Sequence, residues 1–373
     1  MKRSRPRTYV GWVLVPVLSI LLALLVAAIL IIVSGLIGAE RKFNLLLPLV
    51  AYRSLLEGAF GSVRNLANMI VAATPLMLTG LAVGVGLKAG LFNIGATGQV
   101  LLGGFAAALV GVSVADASPF VAIPLAMLGG VLAGSLAGFI PGFLKAFTGA
   151  HEVVTTIMLN AIIQLAISGL VNDVFRAPGF SFARTAPVGN AILAGAGNTT
   201  LHIGVLFAII CIPLSYWLLW RTTVGFEIRA VGANPTAALY AGMKPRRMMI
   251  LTMSLCGAFA GLAGAIEILR LGYYPAVFGT SIGFDGITVA LLGQANPIGI
   301  MFSALLLGAM RAGAPLMQIE ARVPVEIIDV IQGVILIFLA AEIVVRRIFR
   351  LRSTTGSGEL QTITRTYGEK VAG

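Results

Sequence analysis

Three groups of polar residues stand inside otherwise apolar sequence, and the chemistry they offer is hydrogen bonding by uncharged side chains more than catalysis. The first is Leu91-Phe92-Asn93-Ile94-Gly95-Ala96-Thr97-Gly98-Gln99, where glycines interrupt the start of a long apolar run and Asn93 and Gln99 supply donors and acceptors. The second is His151-Glu152-Val153-Val154-Thr155-Thr156, continuing to Asn160, in which Glu152, Thr156 and Asn160 recur at i, i+4 and i+8 on one helical face. The third is Gly283-Phe284-Asp285-Gly286-Ile287, followed by two short apolar pieces, 286–293 and 297–310, joined through Gln294-Ala295-Asn296-Pro297.

Irregular backbone at membrane depth is tolerated only where it is buried in protein or lines a wet cavity. Two half-length apolar segments punctuated by Gly and Pro point to a functional discontinuity of the kind found in transporters. Phe92, Asn93, Gln99, Thr156, Asn160, Phe284 and Asp285 are therefore the candidates for a solute pathway. Each has a plainer alternative. Asn93 and Gln99 can serve helix-to-helix hydrogen bonds. His151 beside Glu152 invites a proton relay, but an acid in the first turn of a helix is ordinary dipole complementation, and that reading is preferred. Asp285 can cap the short helix that follows it as readily as contact a ligand. Phe92-Asn93 and Phe284-Asp285 occupy similar places in the two halves, a hint of an internal repeat.

The elements that must position these residues follow from composition. Of 373 residues 58% are hydrophobic and 11% charged, with a mean hydropathy of +0.99, whereas soluble domains carry about 25% charged residues. Residues 10–39, 65–87, 89–115 and 117–144 contain no Asp, Glu, Lys or Arg, and each is long enough to cross a hydrocarbon core of about 30 Å. Further spans are expected near 153–171, 201–220, 248–269 and 327–345. With the two short pieces counted separately the chain crosses about ten times: an all-α integral membrane protein with short or broken helices among its spans. The basic start resembles a signal peptide, but its apolar run exceeds the roughly 7–15 residues of a cleavable one, so it is read as a retained first span.

Ten crossings put 17 of the 26 Lys and Arg and 5 of the 14 acids on one side, leaving the other side electrically balanced. That asymmetry is the positive-inside rule, and it accounts for the net charge of +12 without nucleic acid. It makes residues 1–9 and 347–373 cytoplasmic tails, 10–346 the transmembrane domain, 221–247 a cytoplasmic loop and 172–200 an extracytoplasmic loop. The outer segment 40–64, with four basic residues and an apolar stretch, is expected to lie along the membrane surface. Small-residue spacing at Gly80 and Gly84, at Gly130, Gly134, Gly138 and Gly142, and at Gly257 and Gly261 predicts close helix packing. Cys211 and Cys256 lack metal-ligand spacing and read as packing residues.

In the loop 221–247, Asn234 before Pro235 is a helix start and Gly242 a stop, giving a short surface helix that another protein could grip. No Lys in the chain precedes Ser or Thr, so it carries no P-loop of the Gly-x-x-x-x-Gly-Lys-Ser/Thr kind.

Residues 89–102, 152–161, 228–242, 283–300 and 311–332 together resemble the membrane permease subunits of bacterial ABC importers for simple sugars and nucleosides, within the branched-chain amino acid and ribose permease superfamily. The stretch Ala51-Tyr52-Arg53-Ser54-Leu55-Leu56-Glu57-Gly58-Ala59-Phe60 is similar to the longer permease of nucleoside importers. The resemblance implies an ABC importer permease fold and alternating access, moving a nucleoside or a sugar such as ribose. It also implies a shorter second permease in a heterodimer, an ATP-binding subunit that holds ATP and Mg, and an extracytoplasmic substrate-binding lipoprotein. It places the chain in a bacterial inner membrane with no cofactor or metal of its own. It makes the loop a coupling helix that docks on the ATPase, with Gly225, Arg229, Gly232, Asn234, Pro235, Ala237, Ala238 and Gly242 as the residues concerned. Thr236 and Thr97 stand where the family pattern usually has Glu. The alternative is an ion-coupled secondary transporter, for which Glu152, Glu267 and Asp285 are the candidate carboxylates.

Overall fold

A computed structural model describes residues 7–37, 44–197, 199–279, 281–324 and 326–340. The elements are α1 (Arg7–Ile37), α2 (Leu47–Phe60), α3 (Val63–Lys88), α4 (Ala96–Ser113), α5 (Pro119–Thr148), α6 (Glu152–Asp173), α7 (Ile203–Arg221), α8 (Thr223–Ala233), α9 (Pro235–Tyr240), α10 (Pro245–Leu271), α11 (Ser281–Leu292), α12 (Pro297–Ala321) and α13 (Glu326–Ala340). No β-strand occurs among the described residues, so the architecture is all-α, as the composition requires. Among them seven helices are long and apolar enough to span a membrane, namely α3 to α7, α10 and α12, joined by the shorter apolar stretches Val17–Val33 and α11.

Two of the sequence expectations need correction or sharpening here. The second short piece, 297–310, is the first part of the 25-residue α12, which continues through Arg311 and Pro315 to Ala321. A charged residue ended the apolar run in the sequence. In the structure Arg311 is paired with Asp285, so the helix proceeds. The segment 40–64 contains a helix, α2, too short to span.

The chain divides into two compact units. In the first, formed by residues 1–58 and 313–373, α1 packs against α13. Ser19, Ala23, Ala27 and Ile31 are buried at four-residue spacing on α1, while Leu21, Leu25 and Ile29 are exposed. The Tyr52 hydroxyl donates to the Leu24 carbonyl (2.5 Å), and the Ser54 hydroxyl donates to a Glu320 carboxylate oxygen (2.5 Å).

The second unit, residues 59–312, is built around α10, which lies against α5 and α4. Here the predicted glycine spacing does its work. A Cβ at Gly134 would lie 2.3 Å from the Gly257 carbonyl oxygen, one at Gly138 2.1 Å from that of Met253, and one at Gly103 2.3 Å from the Gly261 Cα. Any side chain at these positions would force the backbones apart, so the helices meet main chain to main chain. Gly80 and Gly84 serve a different neighbour, receiving Val289 of α11 and Ile300 of α12.

Candidate translocation site

The polar clusters converge on the break between α3 and α4. Helix α3 ends at Lys88, Gly90 turns with φ of +69°, and residues 91–95 run as irregular chain until α4 begins at Ala96. Asn93 and Gln99 close on each other through two amide hydrogen bonds: Asn93 Nδ2 donates to Gln99 Oε1 (2.9 Å), and Gln99 Nε2 donates to Asn93 Oδ1 (3.1 Å). Asn160 of α6 reads the same break from the side. Its Oδ1 accepts from the Gly98 amide (2.8 Å) and its Nδ2 donates to the Ile94 carbonyl (3.0 Å). The Thr156 hydroxyl bonds back to the Glu152 carbonyl (2.7 Å), leaving its methyl group 3.1 Å from where a Cβ on Gly95 would stand. The bare Gly95 and Gly98 thus let α6 approach the broken segment.

Helix α11 completes the arrangement. A Cβ at Gly283 would lie 2.3 Å from the Thr97 amide nitrogen, and one at Gly286 2.7 Å from the Thr79 Cβ, so α11 lies directly on α4 and α3. Asp285 forms an ion pair with Arg311 of α12, and Arg311 also donates to the Ser281 hydroxyl (3.2 Å). Phe284, the next residue round, remains 53% exposed. All seven candidates therefore fall in one region of the second unit. The amides of Asn93 and Gln99 and both polar atoms of Asn160 are occupied by protein partners; Phe92 is half-buried and Phe284 exposed.

The three carboxylates of the ion-coupled alternative each have a cation beside them: Glu152 with Lys145 (2.8 Å), Glu267 with Arg270 (2.5 Å) and Asp285 with Arg311. Glu152 is 1% exposed and opens α6, so the Lys145 pair adds to the dipole complementation expected of it. None of these cations figured among the sequence candidates. Lys145 and Arg270 lie within seven residues of their partners and were within reach, whereas Arg311 is 26 residues from Asp285. A second omission had a plain signal: the four-residue series Thr156, Asn160 continues through Gln164, Ser168 and Asn172 along the whole of α6.

At the end of the bundle carrying α8 and α9, the Thr222 hydroxyl caps α8 by accepting from the Gly225 amide (3.0 Å), and Asn234 caps α9 by accepting from the Ala237 amide (3.0 Å), with Pro235 in the first turn. Gly225 and Gly232 are seats. A Cβ at Gly225 would lie 2.0 Å from the Leu218 carbonyl oxygen, and one at Gly232 2.3 Å from that of Lys88. Arg229 donates to the Leu219 carbonyl (3.0 Å) and lies over the Trp220 ring. Gly242 has φ of +84° and stops α9. Apart from Ala238, α9 is exposed, and its last residues Leu239 and Tyr240 stand out at 59% and 89%. The sequence reading passed over these two, although an exposed aromatic at the tip of a loop helix is a typical protein contact.

Membrane-length helices packed around a pinned helix break, with the short helix α8 and the exposed α9 at one end, describe a polytopic membrane protein. The family model described as branched-chain amino acid transport system / permease component matches residues 65–340, and the chain belongs to that family. It is 38% identical over 340 residues to the guanosine ABC transporter permease protein NupP of Bacillus subtilis, covering 89% of this chain and 94% of the relative. It is 35% identical over 348 residues to the nucleoside ABC transporter permease protein NupB of Lactococcus lactis (89% and 92%). It is 32% identical over 349 residues to the glucose ABC transporter permease protein TsgB13 of Haloferax volcanii (89% of each). The chain is accordingly a multi-pass membrane protein and the permease subunit of an ABC importer, a machine that includes an ATP-binding subunit and a substrate-binding protein.

Proposed function

We propose that this permease imports a nucleoside by alternating access, with ATP hydrolysed on a separate subunit that grips α9. The observation that carries the reading is a mechanical one. Gly232 at the end of α8 abuts Lys88 and Ala89, and a Cβ on Gly90 would lie 3.1 Å from the Gly232 carbonyl oxygen. Three residues beyond Gly90 stands Asn93, whose amide closes on Gln99. Displacement of α9 by closing ATPase domains is thereby transmitted through α8 to the hinge of the α3–α4 break, a rigid lever acting on a bistable element. Gly225, Arg229, Gly232, Asn234, Pro235, Ala237, Ala238 and Gly242 build that lever, and Leu239 and Tyr240 are its contact tip. Asn93, Gln99, Thr156 and Asn160 hold the hinge, while Phe92 and Phe284 present apolar surface beside it, with Asp285 and Arg311 fixing α11.

Nucleoside is favoured over sugar by the names of two relatives at 38% and 35% identity. The distribution of basic residues supports cytoplasmic termini and a cytoplasmic α8–α9 hairpin. We further infer a second, shorter permease as partner and delivery of solute by a lipoprotein on the other face. The test is uptake of labelled guanosine into vesicles containing the whole importer. Uptake that needs ATP and survives a protonophore is expected; uptake without ATP that collapses with the protonophore would transfer the chain to the ion-coupled class.

A further inference from the structure

Helix α6 is the least covered of the spans: 17% of the residues in its most apolar 18-residue stretch are buried, against 83% for α3. Its uncovered surface is not uniformly apolar. Beyond Asn160 the series at four-residue spacing continues with Gln164, exposed, Ser168, half-buried, and Asn172, exposed. Asn172 Nδ2 donates to the Ser168 carbonyl (2.8 Å), but no hydrogen bond joins Gln164 to another described residue. A stripe of amides and hydroxyls along a span is costly against lipid tails, so this face meets either water or another protein.

Gln164 and Ser168 line a cleft of about 110 Å³ whose opposite wall is formed by Tyr274, Val277 and Phe278. The aromatic wall is fixed. Phe278 packs on Tyr274 (ring centroids 5.6 Å apart), and Tyr274 meets the edge of Phe105 (5.5 Å). The chain carrying them is tied down by the loop 172–200: the Thr185 amide donates to the Tyr274 carbonyl and the Ala276 amide to that of Ala183, both at 2.9 Å. Tyr274 is buried, which pushes its hydroxyl pKa up and keeps it a neutral donor. No Asp, Glu, Lys or Arg lines the cleft. A second cavity, of about 300 Å³, is different, its lining including Glu267, Arg270 and Arg311, whose charges are already paired.

We propose that the cleft between Gln164 and Phe278 is a solute-binding half-site for a neutral, flat, hydrogen-bonding ring, the base of a nucleoside. A held aromatic ring offers a stacking face, and the unengaged amide of Gln164 offers one donor group and one acceptor in a plane, as an amide does when it reads the edge of a base. Pockets that enclose a whole small molecule measure roughly 300–1,000 Å³, so 110 Å³ accommodates a ring while the rest of the solute projects outward. The assignment rests on the nucleoside reading above and adds to it the residues that recognise the base.

The test uses Gln164→Cys in the complete importer, reconstituted in proteoliposomes and treated with a charged methanethiosulfonate reagent, with the unsubstituted importer as baseline because Cys211 and Cys256 are buried. Modification at position 164 is expected, slowed about fivefold or more by saturating guanosine and unaffected by glucose. Ser168→Cys repeats the measurement should the first variant insert poorly. Phe278→Leu is expected to raise the guanosine concentration needed for half-maximal protection about tenfold, the scale of one lost base stack, and Phe278→Trp to restore it. Absence of modification by the charged reagent at both cysteines overturns the proposal, since the face is then covered by lipid or a partner helix. Equal protection by glucose, or none by guanosine, overturns it as well. ATP-driven guanosine uptake by the unsubstituted importer is measured alongside: if that uptake is present and protection is not, the half-site alone is wrong, and if uptake is absent both fall.

Discussion

Replacing Gly232 with valine tests whether the α8–α9 hairpin drives the hinge. The new Cβ would stand 2.3 Å from the Lys88 carbonyl oxygen and 2.7 Å from the Ala89 carbonyl carbon. Both neighbours are backbone and cannot swing aside, so α8 must retreat by about 1 Å to reach ordinary contact, before the two γ-methyl groups are counted. Overpacking of this kind costs about 1–3 kcal/mol. Since the seat is where α8 meets α3, that cost falls on the state in which the lever is engaged. At 1.4 kcal/mol per factor of ten, engagement falls about 5- to 150-fold. The assay is guanosine uptake and ATP hydrolysis in the same proteoliposomes. Uptake is expected to drop about tenfold or more while hydrolysis persists and membrane insertion is normal. Gly232→Ala is expected to fall between. If the valine variant takes up guanosine within twofold of the native importer, force does not pass through this contact.

Other substitutions address the remaining parts of the site. Asn160→Ala strands the Gly98 amide and the Ile94 carbonyl, at about 1–3 kcal/mol each; a lower melting temperature in detergent, with uptake reduced further than the stability loss explains, is the expected outcome. Asp285→Ala leaves Arg311 without its carboxylate and is expected to cost about 3–5 kcal/mol, whereas the double change Asp285→Leu with Arg311→Met recovers most of the melting temperature; equal damage in both would deny the pair its role. Tyr240→Ala removes the exposed tip of α9 and is expected to weaken co-purification of the ATP-binding subunit while leaving the permease folded.

Much of this arrangement was legible in the sequence because lipid imposes simple rules. Runs without charge announced the spans, and glycines at four-residue spacing on α5 and α10 announced their close approach. Asn234, Pro235 and Gly242 marked the ends of α9 because capping is local chemistry. What escaped was pairing at a distance. Arg311 looked like the end of an apolar segment, and only the fold shows Asp285 neutralising it inside a continuous helix. Asn93, Gln99 and Asn160 were recognisable as unusual, but that Asn93 and Gln99 bond to each other depends on the course of the break, and that Asn160 bonds to its backbone depends on where α6 lies. The stripe on α6 was read as far as Asn160 and ran on to Asn172; its period was visible throughout, and its exposed position was not.

Where α5, α10 and α4 touch through bare backbone, no rotamer stands between them that could compress, swing or repack. Such a joint leaves little room to slide, because any side chain added there would meet main chain. The same kind of contact, Gly283 against the Thr97 main chain, ties α11 to α4.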